Sequence, residues 1–254
     1  MGLWTKPHFY TIVPAFIIFI IIAVISGKLM KGKSEKARYL PLQIITIILL
    51  ALEFMKQGYN MKGGYDLYAL PFHYCSLFLY LLPLHSFYRG KYKKTVDGLT
   101  LACTSSLFLF MLIMPAVVYS DGNIVNYFKY FSDFHTVTFH NLVCLYFILM
   151  LAYKLYDFNV KSDIKATTLF LAIYVIVALI LAFALDTNFQ NLLKCNLQMV
   201  EDIRLLMVDA IGFVGHLIYV FILFVLTILF AYASYFATKG ILALIYKKRS
   251  GTTK

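Results

Sequence analysis

The chain has 254 residues, of which 61% are hydrophobic and only 14% charged, and its formal net charge is +11. With a mean hydropathy of +0.78, so much apolar surface excludes a water-soluble globule and makes a bilayer the expected solvent. The positive balance then reads as cytoplasmic loops facing anionic headgroups, and nucleic acid is not expected as a partner.

Apolar runs recur from end to end, so residues 1–254 read as a single integral membrane domain. Spanning segments must satisfy their own backbone, which makes the expected fold all-α. Seven segments are long enough to cross, near 8–27, 39–58, 70–88, 98–119, 131–153, 165–185 and 209–237. The first, Phe9 to Ser26 at its core, is long for a signal peptide and has its basic cluster on the wrong side. The second carries Glu53 near its end. The third opens on LPFHYCS, Leu70 to Ser76, with Pro71 expected as the first helical residue. The fifth carries His135 and His140. Asn191 to Leu206, between the last two segments, is expected as a surface helix, and Asp209 is expected to open the seventh segment, with His216 further in.

Basic residues alternate between loops. Lys28, Lys31, Lys33, Lys36 and Arg38 follow the first segment, and Arg89, Lys91, Lys93 and Lys94 the third. Lys154, Lys161 and Lys165 follow the fifth, and Lys239, Lys247, Lys248, Arg249 and Lys254 close the chain. The other loops are poor in them. This pattern predicts a seven-helix polytopic bundle in the cell membrane with the N-terminus outside and the C-terminus cytoplasmic; six spans would break it.

That topology puts Glu53, Cys75, His135, His140, Asn188, Asp209 and His216 in the outer half. The first, fourth and sixth segments are almost purely apolar. An intramembrane charge costs about 3 kcal/mol unless it faces protein or water, which predicts one outward-opening polar cavity among segments 2, 3, 5 and 7. On a helix His73 and Cys75 would be about 200° apart and His135 and His140 about 140°, so a three-histidine site is hard to build. HxC also lacks the HxxxH or HExxH spacing of zinc enzymes; no metal and no cofactor is expected. The four cysteines (Cys75, Cys103, Cys144, Cys195) have no CxxC or paired spacing, so a disulfide framework is not expected. Each candidate also has a plain structural role available. Cys103 and Cys144 read as inert core thiols, His85 as a marker of the cytoplasmic interface, Glu53 as a snorkelling carboxylate and Asp209 as a helix N-cap.

Taken in order, LLALEFMKQ with Glu53 and Gln57, the LP-x-H-x-CS stretch (Leu70, Pro71, His73, Cys75, Ser76), Pro115, His140, the TNF segment at Asn188 and the D-x-x-G of Asp209 and Gly212 resemble the YwaF-type family of small bacterial membrane proteins. That family is related to transmembrane protein 164, a cysteine-dependent phospholipid acyltransferase. The resemblance covers roughly residues 45–235. Two family features are replaced, by Asn141 after the helix 5 histidine and by Phe213, Val214 and Gly215 after D-x-x-G. The resemblance implies a nucleophilic Cys75 and a basic His140, with Glu53, His73, His135, Asn188 and Asp209 in supporting or orienting roles. It implies acyl transfer or thioester hydrolysis on a membrane phospholipid or other lipid ester. An outward-opening site makes cytoplasmic acyl-CoA an unsuitable donor. The competing reading is a non-catalytic membrane protein that binds or transports a small solute, although no inverted repeat or broken-helix pair accompanies it. Thiol exchange between Cys75 and Cys195 is a third reading, without support from spacing.

Overall fold

The computed structural model describes residues 4–251, and these form helices with no strand among them. Lys254 lies outside the described residues, and so do the side chains of Lys248 and Arg249. Helices α1 (Lys6–Leu29) and α2 (Glu35–Asn60) open the fold, joined by a short loop. Ser34 caps α2 by accepting a hydrogen bond from the Ala37 amide, and Glu35 complements the helix dipole in the first turn. α1 buries only a narrow stripe, His8, Ile12, Phe16 and Ala23, and leaves Ile17, Ile20, Ile21, Val24 and Ile25 exposed. In water that face would aggregate; against acyl chains it is ordinary surface.

The third segment is not a helix from residue 70. A 3₁₀ turn covers Leu67–Ala69, Leu70 and His73 are extended, a second 3₁₀ turn covers Tyr74–Leu77, and α3 proper is only Phe78–Phe87. Pro71 therefore does not begin a helix. The reason lies in the backbone's hydrogen bonds, because side chains from elsewhere take its carbonyls. Gln57 donates to Ala69 O at 2.8 Å, Tyr174 to His73 O at 2.8 Å and Gln190 to Phe72 O at 2.9 Å. With those acceptors satisfied, a non-helical stretch is tolerable beside lipid. The helical angle between His73 and Cys75 expected from the sequence does not apply.

α4 (Lys93–Ile113) is the central helix, and residues 97–107 are buried without a break. It is less apolar than its run of leucines suggests: Thr100, Thr104, Ser105 and Ser106 are buried and return their hydroxyls to carbonyls of the preceding turn. α4 stops at Ile113 rather than at 119, because Met114 precedes Pro115 and leaves the helical region at φ −139°. Two short helices follow, α5 (Pro115–Val118) and α6 (Asp121–Val125). Then come α7 (Phe131–Ala152), α8 (Val160–Leu185), α9 (Gln198–Ile211) and α10 (Phe213–Gly251). The surface helix sits later than 191–206. Asp209 lies exposed in the last turn of α9 instead of capping α10; Gly212, at φ 62°, makes the break between them.

Six helices, α1, α2, α4, α7, α8 and residues Phe213–Ile245 of α10, are long and apolar enough to cross a membrane, and Tyr74–Phe87 is a shorter apolar helix. The protein is a multi-pass membrane protein. α3 runs antiparallel to α2: Gln57 holds Ala69 O at one end, while Gln43 donates to Ser86 O at 3.0 Å at the other. Gln43 and Gln57 are separated by about 21 Å of helix.

Polar side chains gather at both ends of this stack, not at one. His85, expected at an interface, is fully buried. Its Nδ1 is 2.5 Å from the Tyr146 hydroxyl and its Nε2 3.3 Å from both Leu155 O and Asp97 Oδ1, while Ser86 Oγ joins Tyr146 at 2.8 Å. Tyr39 packs on the His85 ring, and the Arg89 guanidinium lies 3.7 Å above the Tyr39 ring. Tyr39, Tyr146 and the Leu155 carbonyl close around the histidine and remove it from the surface.

Candidate active site

Glu53 is the centre of the other polar layer. The residue is only 8% exposed. Such a group persists in hydrocarbon only when paired and hydrogen-bonded. Lys56, one turn on, lies 2.8 Å from Oε1, and Gln57 donates to Oε1 at 2.5 Å. From α7, His135 Nε2 faces Oε2 at 3.2 Å, its ring stacked on Phe139 at 5.5 Å between centroids. Tyr65 donates to Gln57 Oε1, so the loop after α2 closes over the cluster. Glu53 is therefore a buried acid, paired and hydrogen-bonded through Oε1 and faced by His135 at Oε2, rather than a snorkelling one.

His140 is also buried, five residues further along α7. Its Nδ1 is 2.7 Å from Thr136 O. A carbonyl only accepts, so Nδ1 carries the proton and Nε2 is left as a lone-pair acceptor. Beside it, Asn141 donates to Val137 O at 2.8 Å, and the Tyr119 ring lies 6.2 Å away. Tyr119 in turn stacks on His8, whose Nε2 donates to Tyr119 O at 2.8 Å, and this ties α1 to the same layer.

Cys75 sits in the 3₁₀ turn that follows the extended His73. It is partly buried, whereas Cys103 and Cys144 are wholly inside the core; all four thiols are free. No hydrogen bond joins its sulfur to His135 or His140 among the described residues. His73 Nε2 donates to Tyr68 O at 2.8 Å, and its ring packs edge-on against Phe189.

The remaining candidates lie apart from this cluster. Asn188 organises its own loop, accepting from the amides of Leu193 and Lys194 and donating to Lys194 O. Asp209 is on the exposed side of α9. His216 is buried among Phe183, Phe213 and Tyr219, with Nε2 unpartnered. The two cavities described, about 600 Å³ between the α1–α2 loop and the end of α7 and about 270 Å³ between α8 and α10, are not lined by any of these residues. Among the described residues no group of three His, Cys, Asp or Glu could hold a metal ion.

Sequence reading missed Lys56, Tyr65, Tyr174 and Gln190. Lys56 carried a signal, since a lysine three residues after a glutamate shares its helical face. Tyr174 and Gln190 carried none, because their partners lie about a hundred residues away in the chain.

No curated protein and no solved structure matches the chain. The profile of the TMEM164 family matches residues 3–232, which include every candidate residue above. By that extent the chain belongs to the TMEM164 family.

Proposed function

We propose that this protein is a lipid acyltransferase or transacylase of the cell membrane, with Cys75 as nucleophile and His140 as general base. In this reading Tyr74–Phe87 and its extended entry complete a seventh pass, with the N-terminus outside and the cysteine layer in the outer half. The observation that carries the reading is the His140 tautomer: Nδ1–H is committed to Thr136 O, which leaves Nε2 able to accept a proton. The buried Glu53–His135 pair and a partly accessible thiol in the 3₁₀ turn before α3 also support the reading. Catalytic hydrogen bonds commonly tighten only once substrate binds.

The chemistry runs in two steps. His140 Nε2 takes the Cys75 proton, and the thiolate attacks the carbonyl carbon of a phospholipid or other lipid ester. The carbonyl–oxygen bond breaks, the lysolipid alkoxide takes the proton back from His140, and the acyl group remains as a thioester. The hydroxyl of an acceptor lysolipid, deprotonated by the same nitrogen, attacks the thioester, and the thiolate leaves. Water in place of the acceptor gives hydrolysis. The Glu53 carboxylate holds His135 and the surrounding charges in place, and His73 anchors the segment before the nucleophile. Asn188 and Asp209 act at most on the surrounding loops.

The test uses purified protein and a phospholipid with a clickable acyl chain. Wild type should acquire a hydroxylamine-sensitive label at Cys75, and Cys75→Ala should show neither label nor turnover. His140→Ala should label slowly while keeping its fold. Acyl transfer that survives in Cys75→Ala removes the cysteine from the mechanism.

A further inference from the structure

A second site stands at the opposite end of the bundle from Cys75. A cavity of about 600 Å³ opens between the α1–α2 loop and the C-terminus of α7. Five cations line it, Lys28, Lys31, Lys33, Arg38 and Lys154, and no carboxylate does. Gly27 and Ala152 approach closely at its base, where a Cβ on Gly27 would meet the Ala152 Cβ at 3.6 Å. Gly32, at φ 78°, turns the loop around the opening.

Cations at helix C-termini have an ordinary explanation, since they offset the helix dipole. The magnitudes do not match. Each helix end presents roughly half a negative charge, so the ends of α1 and α7 account for about one cation. With Lys154 set aside, the cavity still holds four. Arg38 adds an independent observation. Nη1 donates to Tyr153 O at 2.9 Å, which fixes the guanidinium, while Nε is buried with no partner. The hydrogen bond to Tyr153 O holds the guanidinium in the cavity wall, where no lining carboxylate offsets its charge. The depth points the same way. The exposed apolar face of α1 runs through Ile21, Val24 and Ile25, and the cavity begins two residues later at Gly27. That is where hydrocarbon gives way to headgroups.

We propose that this cavity binds a phosphate-bearing anion, with Arg38 as the fixed donor and the loop lysines as the surrounding charge. The phosphate belongs either to an acidic phospholipid or to a free phosphate ion. The site is independent of the thiol chemistry and stands or falls separately from it.

The test is binding to the full-length protein in neutral detergent at fixed ionic strength, with thermal unfolding and native mass spectrometry as readouts. The probes are phosphatidic acid, phosphatidylcholine and inorganic phosphate. Saturable stabilisation by phosphatidic acid alone identifies a headgroup site, and stabilisation by phosphate as well identifies a site for the free ion. Lys31→Gln/Lys33→Gln, on an exposed loop, should weaken either response about tenfold or more. Arg38→Gln should abolish it; if that variant does not fold, the lysine pair decides. Equal responses to phosphatidic acid and phosphatidylcholine with none to phosphate, or an unchanged response in the lysine variant, overturn the proposal.

Discussion

Gly98 shows how little freedom the central helix has. A Cβ built there would lie 2.1 Å from Asp163 Oδ1. Asp163 is itself pinned, accepting from the Tyr235 hydroxyl at 2.5 Å and from the Asn159 amide at 3.0 Å. Both bonds fall on Oδ2, while Oδ1, the atom nearest that Cβ, is buried without a partner; turning the carboxylate aside to make room would cost the Oδ2 bonds. Gly98→Ala should therefore destabilise the protein by about 1–3 kcal/mol, as overpacking does. Thermal unfolding in detergent measures this, with Gly240→Ala, where a Cβ meets nothing within 4 Å, as the control. None of this was legible beforehand, because a glycine in an apolar run does not announce the carboxylate it faces. Glu53 was legible, since an acid in hydrocarbon demands partners wherever they come from. His85 was misjudged because its covering residues, Tyr39, Tyr146 and Leu155, come from two other helices and a loop.

At the scale of elements, the segment Leu70–His73 is held out of helix by hydrogen bonds from α2, α8 and the Gln190 loop. Tyr174 is the most consequential of the three donors, because it reaches both His73 O at 2.8 Å and Pro71 O at 3.3 Å. Tyr174→Phe should cost about 0.5–1.5 kcal/mol, the net value of a lost hydrogen bond, since His73 O keeps the Ser76 amide and Pro71 O keeps the Tyr80 hydroxyl. Alkylation of Cys75 by a maleimide should change rate in that variant while α4 and α7 keep their protection in hydrogen exchange. An unchanged rate would mean the thiol's setting does not depend on this anchor. The segment was misread as helix because proline at a helix start is a good local rule, and the competing donors lie far away in sequence.

The loop before α9 offers a pH-dependent case outside the spans. Arg204 donates to Glu201 at 2.6 and 2.8 Å, and the Cys195 amide donates at 2.7 Å. The Arg204 hydrogen bonds hold the Glu201 carboxyl below its ordinary value. A depressed folded pKa contributes stability above the unfolded pKa, about 4.3, and loses it as pH falls through the folded value. Amide protection factors over residues 195–204, with the intrinsic pH dependence of exchange divided out, should be high at pH 6 and fall below about pH 4. In Glu201→Gln they should be lower at pH 6 and lose that acid dependence.

For the whole molecule, the decisive question is how many passes separate the two termini. At one end of the bundle, Arg38 reaches Tyr153 O at 2.9 Å, His85 reaches Leu155 O at 3.3 Å and Lys94 pairs with Asp157 at 3.1 Å. These contacts gather the connections after α1, α3 and α7, the same basic loops that alternate along the sequence. At the other end, His8 reaches Tyr119 O and Asn123 donates to Asp133 at 2.6 Å, beside the Gln57–Ala69 contact. The start of α1 belongs to this second end, whereas Tyr235, in the second half of α10, meets Asp163 near the start of α8, at the basic end. Six long helices alone would return the chain to its starting side. In the proposed seven-pass reading, the short helix with its extended entry supplies the odd crossing, since extended residues advance about 3.3 Å each against 1.5 Å in a helix. With the basic connections cytoplasmic, a phosphatase fused before residue 1 should be active outside the cell and a fluorescent protein fused after residue 254 should fold inside. Both termini reporting from the same side would reduce Tyr74–Phe87 to a re-entrant element, and the cysteine layer would then need a different route to its lipid.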